Sequence, residues 1–389
     1  MDAYRDRSRQ RATLAQSAHS GRGVRLSAAR DFDFNSTKHG ETMSLVNVHN
    51  EWDPLEEMIV GIADGAQVPR ADPGLFALDY ADHHERADQI PSGPYPAHVI
   101  AEANEDLDRF ALFLRSQGVT VRRPEPVDHT AAFGAPGWQT DGEYNYCPRD
   151  VLLPIGDLII EAPMTLRSRY FESHAYHSHL LDYFASGAKW ISAPKPRLPD
   201  SAYRVKPTDG EILANDEPIF DAANVIRMGR DILYLVSRSG NRLGYEWLQR
   251  TLGEGYRVHP IEGVYDGTHI DTTITLVRPG LVVLSPERIS RAQVPAIFRN
   301  WEVVWCPGMV DTGYCWSYPR ASIWQGMNFI MVNPSLAVVN DRQIELIRAL
   351  EKHRIDVAPL PMRHARSLSG GFHCVSVDVR RRGQLEDYR

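Results

Sequence analysis

Cys374 stands in Leu368-Ser369-Gly370-Gly371-Phe372-His373-Cys374, directly ahead of an alternating run at residues 375–379. A thiol at a loop–strand junction is placed to react, whereas one inside an apolar helix packs as a small hydrophobe. The two glycines let the backbone turn tightly and leave room for a ligand beside the sulfur. His269 lies in Asp266-Gly267-Thr268-His269-Ile270-Asp271-Thr272. Alternation along an extended segment puts His269 and Asp271 on one face. An imidazole and a carboxylate converging there would move protons and bind a cation. A half-exposed edge strand with a polar face is the competing expectation. Asp221, between Phe220 and Ala222, either caps a helix or holds an imidazole in one tautomer. Asp150, in Tyr146-Cys147-Pro148-Arg149-Asp150, either pairs with Arg149 or begins a turn.

Other candidates carry less chemistry. Cys147, Cys306 and Cys315 are expected to pack in the core. The run His174-Ala175-Tyr176-His177-Ser178-His179 does not place its histidines on one helical face, so no metal site is expected. No glycine-rich nucleotide-binding loop is present.

These residues need elements to position them, and the sequence repeats a unit that would do so. Each unit has one or two apolar strands, an amphipathic helix and a short closing strand. The spacing predicts strand 58–62, helix 100–117 and strand 119–121, then strand 157–160, helix 173–184 and strand 187–190. It goes on with strand 231–236, helix 243–252 and strand 255–258, then strand 281–284, a short helix near 293–298 and strand 301–304. The last unit has strands 329–332 and 337–339, helix 342–352 and strand 355–357, with a final strand at 375–379. Apolar residues at i, i+3 and i+4 carry the helices, and short β-branched runs carry the strands. Five such units fit a radial α/β array; an ordinary alternating α/β fold fits the pattern equally well. Residues 1–43 are polar with no hydrophobic period and are expected to form a flexible extension. Residues 44–389 are then a single catalytic domain.

Composition narrows the class. The chain has 389 residues, a formal charge of −7 and four cysteines with no C-x-x-C pair. That charge excludes the basic footprint of a nucleic-acid binder and suits a small cationic substrate. No apolar run approaches the roughly 20 residues of a membrane span. The four cysteines form no disulfide framework, so a reduced, cytoplasmic protein is expected.

Taken together, the motifs resemble the arginine amidinotransferase family. They are Phe220-Asp221-Ala222-Ala223-Asn224, Thr268-His269-Ile270-Asp271, Ser369-Gly370-Gly371-Phe372-His373-Cys374, Asp378-Val379-Arg380-Arg381 and Cys147-Pro148-Arg149-Asp150, supported by Glu161-Ala162-Pro163-Met164 and Arg167-Ser168-Arg169. The resemblance runs from about Ser44 to the C-terminus. It implies the pentein fold, a five-bladed pseudo-symmetric α/β propeller of ββαβ modules. It also implies a catalytic triad of Cys374, His269 and Asp221, with Asp150 and Asp271 gripping the guanidinium. Arg288 and Ser322 would then meet the carboxylate of arginine. Ala321 stands where the animal glycine enzymes have a second serine, and Ser369 where relatives often have glycine. Within the family, Ser44-Leu45-Val46-Asn47-Val48-His49-Asn50-Glu51-Trp52 and Ile90-Pro91-Ser92-Gly93 resemble the arginine:inosamine-phosphate amidinotransferases of aminocyclitol antibiotic pathways. The implied partners are L-arginine and a small amine acceptor, with no nucleic acid and no membrane, in a monomer or homodimer. The implied ping-pong chemistry needs no metal or organic cofactor. A glycine or other amine acceptor, an arginine deiminase and a non-catalytic arginine-binding protein are the alternatives.

Overall fold

Short apolar runs joined by two-residue turns fold as antiparallel hairpins in this computed structural model, which describes residues 44–208, 211–315 and 319–389. The extension expected over residues 1–43 lies outside the described residues. Leu152–Ile155 pairs with Leu158–Glu161 around Gly156 at φ 60°, and Val225–Met228 with Asp231–Leu235 around Gly229 at φ 65°. A positive φ there matches the turn to the twist of its strands, and glycine adopts it without a Cβ clash. Ile274–Arg278 with Leu281–Leu284, and Ile330–Asn333 with Leu336–Asn340, repeat the arrangement.

After each hairpin the chain crosses over and returns as a third strand, parallel to the hairpin's second. These third strands are Lys189–Ser192, Arg257–Ile261, Glu302–Trp305 and Asp356–Leu360. One more three-stranded sheet is assembled from both ends of the described chain. Leu55–Val60 is its middle strand, Ser376–Arg381 lies antiparallel to it and Thr120–Arg122 parallel. The run at 375–379 is therefore the first strand of the first unit and not an appendix to the last. The fold is α/β, with ββαβ modules as its repeat.

The crossovers are helices where the sequence allows them. Ala97–Ser116 buries Val99, Ala103, Leu107, Phe110, Ala111 and Leu114 on one face. Arg242–Leu252 starts on Asn241, whose side-chain oxygen accepts from Gly244 N, and Ile344–Lys352 buries Leu346 and Leu350. Two expectations fail. The helix near 293–298 is replaced by 3₁₀ turns Arg291–Gln293 and Ala296–Phe298. Pro295 between them has no N–H and pushes Val294 out of the helical region. The helix expected over 173–184 starts as a 3₁₀ turn, Glu172–Tyr176, and becomes α only at His177–Ala185.

The first strand of each module is almost wholly buried. A cluster of charges joins several of them. Arg227 donates to Glu51 at 2.8 and 2.9 Å, to Asp378 at 2.7 Å and to the Pro154 carbonyl at 3.1 Å. Arg381 donates to Asp378 at 2.5 Å and to the Met331 carbonyl at 3.0 Å. Two arginines thus tie four first strands together. Their desolvation is offset only because nearly every donor finds an acceptor.

Candidate active site

Each module enters its first strand through a short turn, and each of these turns carries a polar side chain into one region. Asp150 lies in the short helix Pro148–Val151, two residues ahead of Leu152. Asp221 precedes the 3₁₀ turn Ala222–Asn224 that leads to Val225. His269 precedes the turn Ile270–Thr272, which contains Asp271 and leads to Ile274. Ser322 precedes the turn Ile323–Met327, and Asn328 stands two residues ahead of Ile330. Cys374 stands two residues ahead of Ser376. Residues 270–272 are therefore a 3₁₀ turn, entered from an extended His269, and not the alternating strand expected. The turn still brings His269 and Asp271 to the wall of one cavity, with Cys374.

The distances are short. One polar atom each from Asp150, His269 and Cys374 lies within 4.8 Å of the others. His269 Nε2 meets Asp221 Oδ2 at 3.1 Å, and Nδ1 faces Asp150 Oδ1 at 3.5 Å. Asp221 makes no side-chain cap to its own turn. Instead its Oδ1 accepts from the backbone N and the hydroxyl of Thr165, both at 2.9 Å. The carboxylate is thereby clamped before it reaches His269. Asp150 does not pair with Arg149, which donates to the carbonyls of Ala222 and Val225. Its Oδ2 accepts from Arg169 at 2.6 Å, and Arg169 is itself held by Glu172 at 2.5 and 2.9 Å. Asp271 Oδ2 accepts from His373 Nδ1 at 2.9 Å and lies 3.4 Å from the Cys374 sulfur. Oδ1 of Asp150 and Oδ1 of Asp271 are both buried with no hydrogen-bond partner.

Arg288 and Ser322 sit together on the wall of this cavity of about 310 Å³. Arg288 stacks on Tyr265 at 3.8 Å and donates to the Thr272 carbonyl at 2.9 Å, the Thr273 hydroxyl at 3.1 Å and the Ser322 hydroxyl at 2.9 Å. A second cavity of about 580 Å³ shares Arg238, Tyr265, Asp266 and Arg288 with it.

No protein-family model matches the chain. Individual relatives do. The chain is 55% identical over 347 residues to inosamine-phosphate amidinotransferase 1 of Streptomyces glaucescens, covering 89% of this chain and 100% of that protein. It is 39% identical over 350 residues to an L-arginine:L-lysine amidinotransferase of Pseudomonas savastanoi pv. phaseolicola, covering 87% and 95%. The solved structure of an inosamine-phosphate amidinotransferase from Streptomyces griseus superposes with a TM-score of 0.88 at 55% identity, covering 89% of this chain and 99% of that one. This chain belongs to the amidinotransferase family.

The electrostatics of this amidinotransferase split its groups in a useful way. Burial opposes a charge on His269, but Asp150, Asp221 and Asp271 outweigh it and raise its pKa to about 9. Burial also favours a neutral Asp271, yet the hydrogen bond and charge of His373, with His269, bring it down to about 2. Asp150 moves the other way, because burial outweighs the pull of His269 and Arg169. Burial, then the charges of Asp271 and Asp150, push the Cys374 thiol well up. Among these side chains the imidazole is therefore protonated, Asp271 ionised and the thiol neutral. A bound cation would reverse the pressure on the thiol.

The glycines beside Cys374 serve a different end from the one expected. An added Cβ at Gly370 would lie 2.5 Å from the Cys147 sulfur, and one at Gly371 would lie 2.8 Å from Asn328. They make room for side chains, not for a ligand. Ser369 is the residue at positive φ, 60°, in this loop. Cys147 and Cys306 are buried as expected, whereas Cys315 is only half-buried. The sequence reading passed over Asn328, Gln325, His373 and Arg169 as site residues. Asn328 had a signal, because its place two residues ahead of a first strand repeats that of Asp150 and Cys374.

Proposed function

We propose that the protein moves the amidino group of L-arginine through a covalent adduct on Cys374 to an amine acceptor, an inosamine phosphate, and releases L-ornithine. The observation that carries this reading is the pair of buried oxygens, Oδ1 of Asp150 and Oδ1 of Asp271, that accept no hydrogen bond, the first of them facing His269 Nδ1 at 3.5 Å. A guanidinium presents N–H groups on both sides of its central carbon. Bonding both oxygens would aim that carbon at the Cys374 sulfur. The relatives support the donor and the acceptor class.

The steps follow from the groups in place. The bound cation favours the Cys374 thiolate, whose proton leaves to solvent. The sulfur attacks the guanidinium carbon, and the protonated His269 gives its Nδ1 proton to the departing nitrogen. Ornithine leaves as the amine, and an amidinium remains on Cys374. The acceptor amine then attacks that carbon, neutral His269 takes its proton, and the C–S bond breaks to restore the thiolate. Asp221 keeps Nε2 of His269 occupied, so Nδ1 is the nitrogen that serves substrate. Arg288 and Ser322 hold the arginine carboxylate, and the adjoining 580 Å³ cavity gives space for a bulky acceptor.

The same reading makes residues 44–389 one catalytic domain whose five three-stranded sheets are blades of a pseudo-fivefold propeller. The ties that Arg227 and Arg381 make among first strands support this, as does the contribution of one turn per module to the site. No helix among the described residues is long and apolar enough to cross a membrane. The cytoplasmic location belongs to this proposal.

The test is incubation with arginine alone, then with arginine plus glycine, lysine or an inosamine phosphate, with ornithine, citrulline and guanidino products quantified. Ornithine rising with the inosamine phosphate, matched by its guanidino product, is the expected result. Citrulline formed in stoichiometric amount from arginine alone would replace the transferase by a deiminase.

A further inference from the structure

Asn328 is placed as though built around the sulfur of Cys374. Its Oδ1 accepts from two successive backbone N–H groups, His373 N at 2.9 Å and Cys374 N at 3.0 Å. With the oxygen so engaged, the amide can present only its NH₂ to the other side. That nitrogen, Nδ2, lies 3.1 Å from Cys374 Sγ. A second amide, Gln325 Nε2, reaches the same atom at 3.7 Å. Both side chains are buried, with Asn328 only 2% exposed.

The sulfur thus has two kinds of neighbour. Asp271 Oδ2 at 3.4 Å can only accept, so it suits the thiol. Asn328, its oxygen already engaged, can only donate toward the sulfur, and Gln325 turns its Nε2 to it, so both suit the thiolate. Among the described residues, the charged and titratable groups around it are Asp271, Asp150, Cys147, Tyr146 and His269. Two of these are carboxylates that oppose a second negative charge, and among the described residues no cationic Lys or Arg donor touches the sulfur.

We propose that Asn328 is a catalytic residue whose side-chain amide donates to the Cys374 sulfur and stabilises the thiolate in both half-reactions, with Gln325 as a weaker second donor. This rests on the reading of Cys374 as nucleophile. When arginine binds, its guanidinium pairs with the open Oδ1 of Asp271, its positive charge favours the thiolate, and the thiol's proton leaves to solvent. The negative sulfur then keeps the Asn328 amide as donor. Attack on carbon drains charge from the sulfur and weakens that bond. Breaking the C–S bond in the second half-reaction returns the charge, and the bond strengthens again. The same donor therefore assists formation of the attacking group and departure of the leaving group.

The experiment is the pH dependence of inactivation by iodoacetamide, with the alkylated peptide identified by mass spectrometry. The full-length enzyme, Asn328→Asp, Asn328→Ala and Gln325→Leu are compared. Loss of the Asn328 donor is expected to raise the midpoint by about one pH unit or more in both Asn328 variants, with kcat down roughly 10–100-fold. The neutral alanine separates loss of a donor from the addition of a charge. An Asn328→Ala enzyme that is less active but keeps the wild-type midpoint would make Asn328 a backbone anchor only and overturn the proposal. If the Asn328 variants do not fold, Gln325→Leu decides: a smaller upward shift supports it, and an unchanged midpoint overturns it. A wild-type enzyme inactivated without modification of Cys374 would instead sink the nucleophile assignment itself.

Discussion

His373 Nδ1 holds Oδ2 of Asp271 at 2.9 Å, while its Nε2 meets Glu51 at 3.2 Å. The imidazole is therefore wedged between a carboxylate of the active site and the buried cluster of Glu51, Arg227 and Asp378. Burial disfavours its charge, but the two carboxylates outweigh burial and raise its pKa. The contact also decides which oxygen of Asp271 is left open. Oδ2 is taken, and Oδ1 is buried without a partner.

Replacing His373 by leucine should weaken arginine binding first. Asp271 would lose its fixed orientation and its counter-charge. We expect KM for arginine to rise about tenfold or more, the cost of one charge-assisted hydrogen bond. The pH dependence has a definite sign. Asp271, held at about 2, loses its charge only as pH falls through that value. Without His373 the loss would begin at higher pH. The acid limb of kcat/KM, measured from pH 4 upward, should move to higher pH in the variant.

Asp221 and His269 predict the opposite limb. At about 9, His269 lies above the ordinary histidine value and is protonated at neutral pH. If His269 is the acid that releases ornithine, that acid is lost as pH rises through about 9. Asp221→Asn removes one of the charges that sustain it, so this limb should move down. The asparagine should also lower kcat by about a hundredfold or more, the usual weight of a positioned general acid. A rapid-quench measurement of the first ornithine turnover against pH reads both effects. An alkaline limb that stays in place would show that Asp221 does not set the charge of His269.

Much of this arrangement was legible in the sequence because ionisable side chains announce themselves. Cys374, His269, Asp221, Asp150 and Asp271 each break an apolar or turn pattern, and the structure brings them together. Amides do not announce themselves in that way. Asn328 and Gln325 lie in Ile323-Trp324-Gln325-Gly326-Met327-Asn328 and look like any turn. Only the register of the repeated first strands would have marked Asn328. Of the two expectations for Asp150, a turn holds and pairing with the adjacent Arg149 does not. A short helix points the two side chains apart, and Arg169, from another turn, fills the place. Pairing across the chain was hidden as well. Nothing local in residues 375–379 says that they join Leu55–Val60 at the other end. Periodicity reports the face of a strand and not its neighbour.

The ion-pair cluster makes a prediction about stability. Arg227 is 0% exposed and serves Glu51, Asp378 and the Pro154 carbonyl together. Arg227→Met would leave two buried carboxylates without their principal counter-charge. The expected loss is about 3–5 kcal/mol in denaturant unfolding monitored by circular dichroism. A loss below about 1 kcal/mol would mean that water or Arg149 takes over its role.

Arg288 allows a test that separates binding from damage. It faces the cavity with Ser322 at 2.9 Å, and its own orientation is held by Tyr265 and the Thr272 and Thr273 oxygens. If it binds the carboxylate of arginine, then agmatine, which lacks that carboxylate, gains nothing from it. Arg288→Ala should raise KM for arginine about 10–100-fold, the range of a charge-assisted pair. The same change should alter kcat/KM for agmatine by less than about threefold. A general collapse of the wall, with Tyr265 left unstacked, would lower both substrates alike. The ratio of the two kcat/KM values therefore isolates the carboxylate contact: a ratio that falls toward unity assigns Arg288 to it, and one that keeps its wild-type value removes Arg288 from the arginine site.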